Sequence, residues 1–92
     1  MGTFHSNKGD LHGITVVVET RGTQVYVGRC DTQTPEGILL LDCDEHDESS
    51  SETPRQEYLQ KVVKFGHWKK HDRLFVANDD IASVQRLGEL SV

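Results

Sequence analysis

The strongest constraint on this chain is a series of short apolar runs, rich in β-branched residues and each closed by a turn signal. Ile14, Thr15, Val16, Val17 and Val18 open the series. Branched side chains fit a pleated strand better than a helix. ETRG at 19–22 reads as a turn in which Gly22 is free to take a positive φ. Thr23, Gln24, Val25, Tyr26 and Val27 then pair back, and Gly28 predicts a bulge or sharp bend. DTQTPEG at 31–37 reads as a loop, and ILLLD at 38–42 as a third strand buried on both faces. YLQKVVKF at 58–65 alternates, with Leu59, Val63 and Phe65 on one face, which predicts a half-buried strand. A short helix competes there, because Leu59, Val62 and Val63 also stand at helical spacing, and Gly66 ends either element. HWKKHD at 67–72 forms a connector, RLFVA at 73–77 the next strand and NDD at 78–80 a turn. Residues 81–87 close the series as a short strand or a single helical turn.

Five or six short strands with tight turns and almost no helix predict an all-β fold, either a sandwich or a small five-stranded barrel. Ninety-two residues hold one domain. A chain this short buries only about 60% of its unfolded surface, so barrel closure, which removes exposed edges, is the expected solution. The expected organisation is a loose arm over residues 1–12 followed by a single β-barrel domain over 13–92.

Residues 44–57 stand apart from the rest. They carry Asp44, Glu45, Asp47, Glu48, Glu52 and Glu57 against Arg55, which accounts for the whole formal net charge of −5. Elsewhere the charges balance, so no global basic field draws the protein to nucleic acid or anionic lipid. The stretch is too charged and too poor in apolar residues to pack, which predicts a long, mobile acidic loop between strands three and four. Its ESSSETP tract can accept phosphate, which would add about −1.5 to −2 in charge per site.

Cys30 and Cys43 form neither a disulfide framework nor a CxxC motif and read as small buried residues. The start MGTFHSNKGDLHG lacks the apolar core of a signal peptide, and no apolar run reaches the roughly 18 residues of a membrane span. A cytoplasmic protein without a membrane span is the expectation. Gly2 followed by Ser6 matches a short and common myristoylation pattern that carries little weight.

The candidate binding surface is KFGHWKKH and the residues around it. Lys64, His67, Lys69, Lys70, His71 and Arg73 surround Trp68. An aromatic ring for base stacking with cations nearby for phosphate is how single-stranded nucleic acid is held. The same residues equally suit a protein partner or the acidic stretch of this or another copy, or a plain solvated connector with Trp68 capping the barrel. His67 and His71 stand four apart, the spacing of metal ligands on a helix, and Asp42, Cys43, Asp44 and His46 offer further donors. The adjoining Gly66 opposes a helix there, so no metal or other cofactor is expected; the two histidines also suit pH sensing. Ser49, Ser50 and Ser51 have no positioned base, and GxGxxG, the P-loop and HExxH are all missing, so a non-catalytic protein is expected.

Over residues 13–43 and 73–84 the chain resembles the Sm-like proteins, a group of SH3-like small barrels. The resemblance rests on Gly13, on Val16 and Val18, on the Gly22 turn, on VYVG ending at Gly28 and on ILLLD ending at Asp42. LFVANDDIASV at 74–84 matches the second half of the pattern: apolar residues, a tight turn, an Ile and a short strand. The resemblance implies a five-stranded barrel that forms homo-oligomers by pairing edge strands of neighbouring subunits, with ILLLD and RLFVA as the buried or pairing strands. It does not carry over uridine binding. Gly37 and Ile38 stand where the family places a polar pocket residue, and Asp31 comes too early in that loop. Ala77 and Asn78 replace the family's Arg-Gly, and Asp79 and Asp80 at the same turn would repel phosphate. The expected function is therefore a non-catalytic protein-interaction or self-assembling module, with RNA binding around Trp68 as the alternative.

Overall fold

The computed structural model describes residues 11–90. Five antiparallel strands form one sheet: β1 (Thr15–Thr20), β2 (Gln24–Thr34), β3 (Gly37–Asp47), β4 (His71–Ala77) and β5 (Ile81–Arg86), in the order β4-β3-β2-β1-β5. A helix, α1 (Arg55–Phe65), joins β3 to β4. Three-residue 3₁₀ turns follow β4 (Asn78–Asp80) and β5 (Leu87–Glu89). The small, mostly β fold is as the apolar runs predict, and its strands number five, with a helix where a further strand was expected.

The sheet is strongly curled. Its two edge strands, β4 and β5, are joined by only Asn78–Asp80. Four interstrand steps in a flat sheet would separate those edges by about 19 Å, and a three-residue 3₁₀ turn advances only about 6 Å. The same turn touches both ends of β2: Asn78 N–H donates to the Glu36 carbonyl (2.9 Å), and Arg21 N–H donates to the Asp80 carbonyl (2.9 Å). Eleven residues of straight strand would span about 35 Å, so β2 must bend through a large angle. It does so at two register shifts against β3, between Val27 and Arg29 and between Cys30 and Thr32. The first is the bend expected at Gly28. A Cβ there would meet the Cβ of Cys43 at 2.9 Å, so only glycine lets the bulged β3 lie close. Asp42 supplies the opposing irregularity with φ 50°.

The curl places apolar residues on both faces. On the concave face Val16, Val18, Cys30, Ile38, Leu40, Cys43 and Val76 are buried, with Tyr26, Leu74, Ile81 and Val84 packed against them, so all five strands contribute. On the other face Val17, Val25 and Val27 meet Leu59 and Val62 of α1. Both cysteines are free thiols in the buried concave core. Burial, with the charges of Asp44 and Glu45 behind it, pushes the Cys43 thiol up to about 12, so it stays protonated and unreactive at neutral pH.

Several expectations are corrected. Residues 58–65 belong to helix α1, not to a strand, because Leu59 and Val62 at i, i+3 give one buried stripe over β1 and β2 while Val63 and Phe65 stay exposed. Gly66 (φ 89°) ends the helix, its N–H donating to the Val62 carbonyl at 2.8 Å. The acidic stretch 44–57 is not a single loop: Asp44–Asp47 continue β3, residues 55–57 open α1, and only 48–54 are irregular. The 31–37 loop shrinks to Pro35 and Glu36, because β2 runs to Thr34. His71 and Asp72 belong to β4, not to the connector. Gly22 does not use a positive φ, and in the NDD turn Asn78 donates its side-chain N–H to the Pro35 carbonyl (2.6 Å). Residues 81–87 combine both readings, a strand and then the start of a 3₁₀ turn.

Of the expected arm, residues 1–10 and the myristoylation pattern at Gly2 and Ser6 lie outside the described residues. Leu11 packs on the concave core, and the Gly13 N–H donates to the Cys30 carbonyl (2.7 Å), so the described part of the arm is tied to β2. Among the described residues, no helix is long and apolar enough to cross a membrane.

Candidate interaction surface

The basic-aromatic run divides into an exposed half and a paired half. Lys64 is in the last turn of α1, and its Nζ lies 5.4 Å from the centre of the Phe65 ring, a cation–π distance. Phe65 and Trp68 are 77% and 83% exposed. Two large rings so exposed within four residues form the most conspicuous apolar surface of the molecule. Phe65 ends a helix and does not stand on a strand face, and that register turns it outward.

The remaining cations are mostly occupied. Lys69 Nζ lies 3.0 Å from Asp72 Oδ1, both well exposed. The Lys70 N–H donates to the Cys43 carbonyl (2.9 Å), and its Nζ donates to the Glu45 carbonyl (3.1 Å). His71 Nε2 lies 2.9 Å from Glu45 Oε1, and His67 Nε2 donates to the Asp42 carbonyl (3.0 Å). Arg73 is exposed on β4 opposite Leu41, and neither it nor Lys64 forms an ion pair among the described residues. The connector is thus stitched to β3 by His67 and Lys70, and His71 ties the start of β4 to the same strand. His67 and His71 turn to different partners, and among the described residues no group of three or more His, Cys, Asp or Glu is placed to hold a metal.

The acidic stretch has the opposite character. Asp44 and His46 are only 6% and 8% exposed. Tyr58 of α1 lies flat on the His46 ring, centroids 4.5 Å apart and planes 7° apart, and its hydroxyl donates to Asp44 Oδ2 (2.7 Å). The Glu45 N–H donates to Asp44 Oδ1 (2.8 Å), and His46 Nε2 donates to the Thr53 carbonyl (2.8 Å). Burial and the bond to Asp44 raise the Tyr58 hydroxyl well above its ordinary pKa, so it remains a donor. Asp47 accepts from the Ser49 hydroxyl (2.6 Å), the Thr23 hydroxyl (2.7 Å) and the Ser49 N–H (2.9 Å), which lower its pKa to about 2. Arg55 bridges the start of α1 to the β1–β2 turn, reaching Glu19 Oε1 (3.3 Å) and the Gly22 carbonyl (2.9 Å). Alternation of Asp44 and His46 toward one face was the available signal for this cluster. The charge of the segment hid it.

Gly37, in the segment where a polar pocket residue was sought, is buried against β4. A Cβ there would collide with the Val76 carbonyl oxygen, so glycine at this position permits the β3–β4 approach. No family model matches the chain, and no curated protein matches it either.

Proposed function

We propose that the chain is a non-catalytic Sm-like barrel that works as a self-assembling interaction module. The carrying observation is that β4 and β5 each have a hydrogen-bonded neighbour on one side only. An unpaired strand edge offers a row of backbone donors and acceptors to another chain. The curl of the sheet and the three-residue joint between its edges support the Sm-like part of the reading, and Phe75, 51% exposed on β4, adds apolar surface beside one edge. Light scattering over a concentration series tests it: the protein forms a defined oligomer, and Ala82→Lys, which sets a charge on exposed β5, shifts it toward monomer. A strict monomer at high concentration refutes the proposal.

A second reading is favoured by one observation, the exposure of Trp68 beside Phe65 and Lys64. It makes this surface a contact for single-stranded RNA, by stacking. The pairing of Lys69, Lys70 and His71 with Asp72 and Glu45 leaves few cations for phosphate, which ranks this reading second. Titration of oligouridylate at low salt against Trp68 fluorescence decides: a saturable quench supports it, and a flat response removes it.

A further inference from the structure

Where the β1–β2 turn faces the turn after β4, the curled sheet opens into a cavity of about 340 Å³. It is separate from the Trp68 surface and shares Phe75 with the apolar surface beside the β4 edge. Thr20, Tyr26, Phe75, Val76, Asp79 and Asp80 supply the walls that matter. Its size is at the small end of ligand sites.

The polar groups of the wall differ in how much capacity they have left. The Thr20 hydroxyl donates to the Gln24 carbonyl (2.6 Å) and accepts from the Gly22 N–H (3.2 Å). Arg21, the cation on the rim, donates its N–H to the Asp80 carbonyl (2.9 Å) and its Nε to the Asp79 carbonyl (3.0 Å). Those contacts hold the turn against the hairpin through backbone oxygens, not through carboxylates. Among the described residues neither the Asp79 nor the Asp80 carboxylate has a hydrogen-bond or ion-pair partner. Tyr26, on β2 opposite Glu45 in register, lines the same cavity. Burial, and then the nearby charges of Glu45, Asp80 and Asp47, raise its hydroxyl pKa, which places the ring in a negative field.

Two carboxylates with spare capacity, a tyrosine ring and a small, partly apolar recess suit one ligand chemistry. Two carboxylates against the one Arg21 guanidinium leave the lining net negative, which disfavours an anion. A bare divalent metal finds two carboxylates and no third protein ligand. An organic cation satisfies the carboxylates with its N–H groups, lays its charge against the ring and places its methylenes on Val76 and Phe75. We propose that this cavity binds a primary alkylammonium group, as carried by a lysine side chain or a free amine. The proposal is independent of self-assembly, and its readout is local.

The test is a ¹⁵N-resolved NMR titration of the full chain, at a concentration where it is a single species. The probes are n-butylammonium chloride, n-butanol at matched ionic strength and N-acetyl-lysine methylamide. Butylammonium and the lysine derivative give saturable shifts confined to residues 20–26 and 79–81, and butanol gives none. Asp79→Asn with Asp80→Asn lowers butylammonium affinity about tenfold, two partly exposed charge contacts being removed. Tyr26→Leu keeps an apolar wall but removes the ring, and it also weakens binding. Tighter binding of the lysine derivative than of butylammonium assigns the site to a peptide side chain; equal or weaker binding assigns it to a free amine. Non-saturating shifts, an equal response to butanol, or unchanged affinity in both folded variants overturns the proposal.

Discussion

Residues 44–58 and 64–73 are the acidic and the basic stretches of this chain, and their polar groups are used in opposite ways. In the acidic stretch the carboxylate of Asp44 is buried and satisfied by the Glu45 N–H and the Tyr58 hydroxyl, with His46 stacked beneath Tyr58. In the basic stretch the rings are outside: Phe65 and Trp68 face solvent, and the cations nearest β3 hold the connector to the sheet. Charge density therefore does not sort these segments into loop and binding surface. What sorts them is whether a neighbouring element can cover them. Helix α1 crosses back over β3 with Tyr58 on its inner side, and after Gly66 nothing among the described residues covers Trp68.

Replacing Tyr58 is the strongest way to break this contrast. Tyr58→Ala removes the stack on His46 and strands the Asp44 carboxylate, and should lower unfolding stability by about 3 kcal/mol or more in urea titrations. Tyr58→Phe keeps the ring and isolates the hydroxyl, at a cost of about 1–3 kcal/mol. A cost near zero for Phe would mean that Asp44 does not depend on this bond.

Acid should act on the same region. Asp47 sits at about 2 in the folded chain against an ordinary 3.8. A group lowered in this way contributes stability that is fully present above its unfolded value and is lost as the pH falls toward 2. Stability measured between about pH 5 and pH 2 should therefore fall less steeply in Asp47→Asn than in the wild type. Identical slopes would show that the bonds from Ser49 and Thr23 are not kept in solution.

The smallest effect belongs to the basic stretch. Trp68→Ala should change stability by no more than about 0.5 kcal/mol, as for a side chain without a packed environment. A loss above about 1 kcal/mol, equivalent to several degrees in Tm, would mean that Trp68 is covered in solution, by the chain itself or by a second copy.

Much of the fold was legible because strand signals are local. Branched residues at 14–18 and the apolar run at 38–41 specify strands wherever they lie, and Gly28 marks the bend because a Cβ there would collide with Cys43. The helix was harder to read. Leu59, Val62, Val63 and Phe65 satisfy both periods, and the choice was made by the apolar floor of Val17, Val25 and Val27, which buries itself under a helical stripe of Leu59 and Val62. Of the candidate surface, the clustering of Trp68 among cations was legible in the sequence, whereas its exposure was not, since the ring could equally have capped the sheet. Nor was the pairing of Lys70 and His71 with Glu45, since it needs the register of β3 beside β4.

By itself, then, the sequence determined a small, mostly β fold, the positions of its apolar strands and the bend at Gly28. The tertiary structure alone decided that an acidic, serine-rich stretch would begin as a buried strand and end as a helix. It also brought Tyr26, Asp79 and Asp80 around one cavity. The physical reason is the same in both cases. Burying a charge, or concentrating carboxylates at a recess, depends on groups far apart in the chain, and only the curl of the sheet sets their distances.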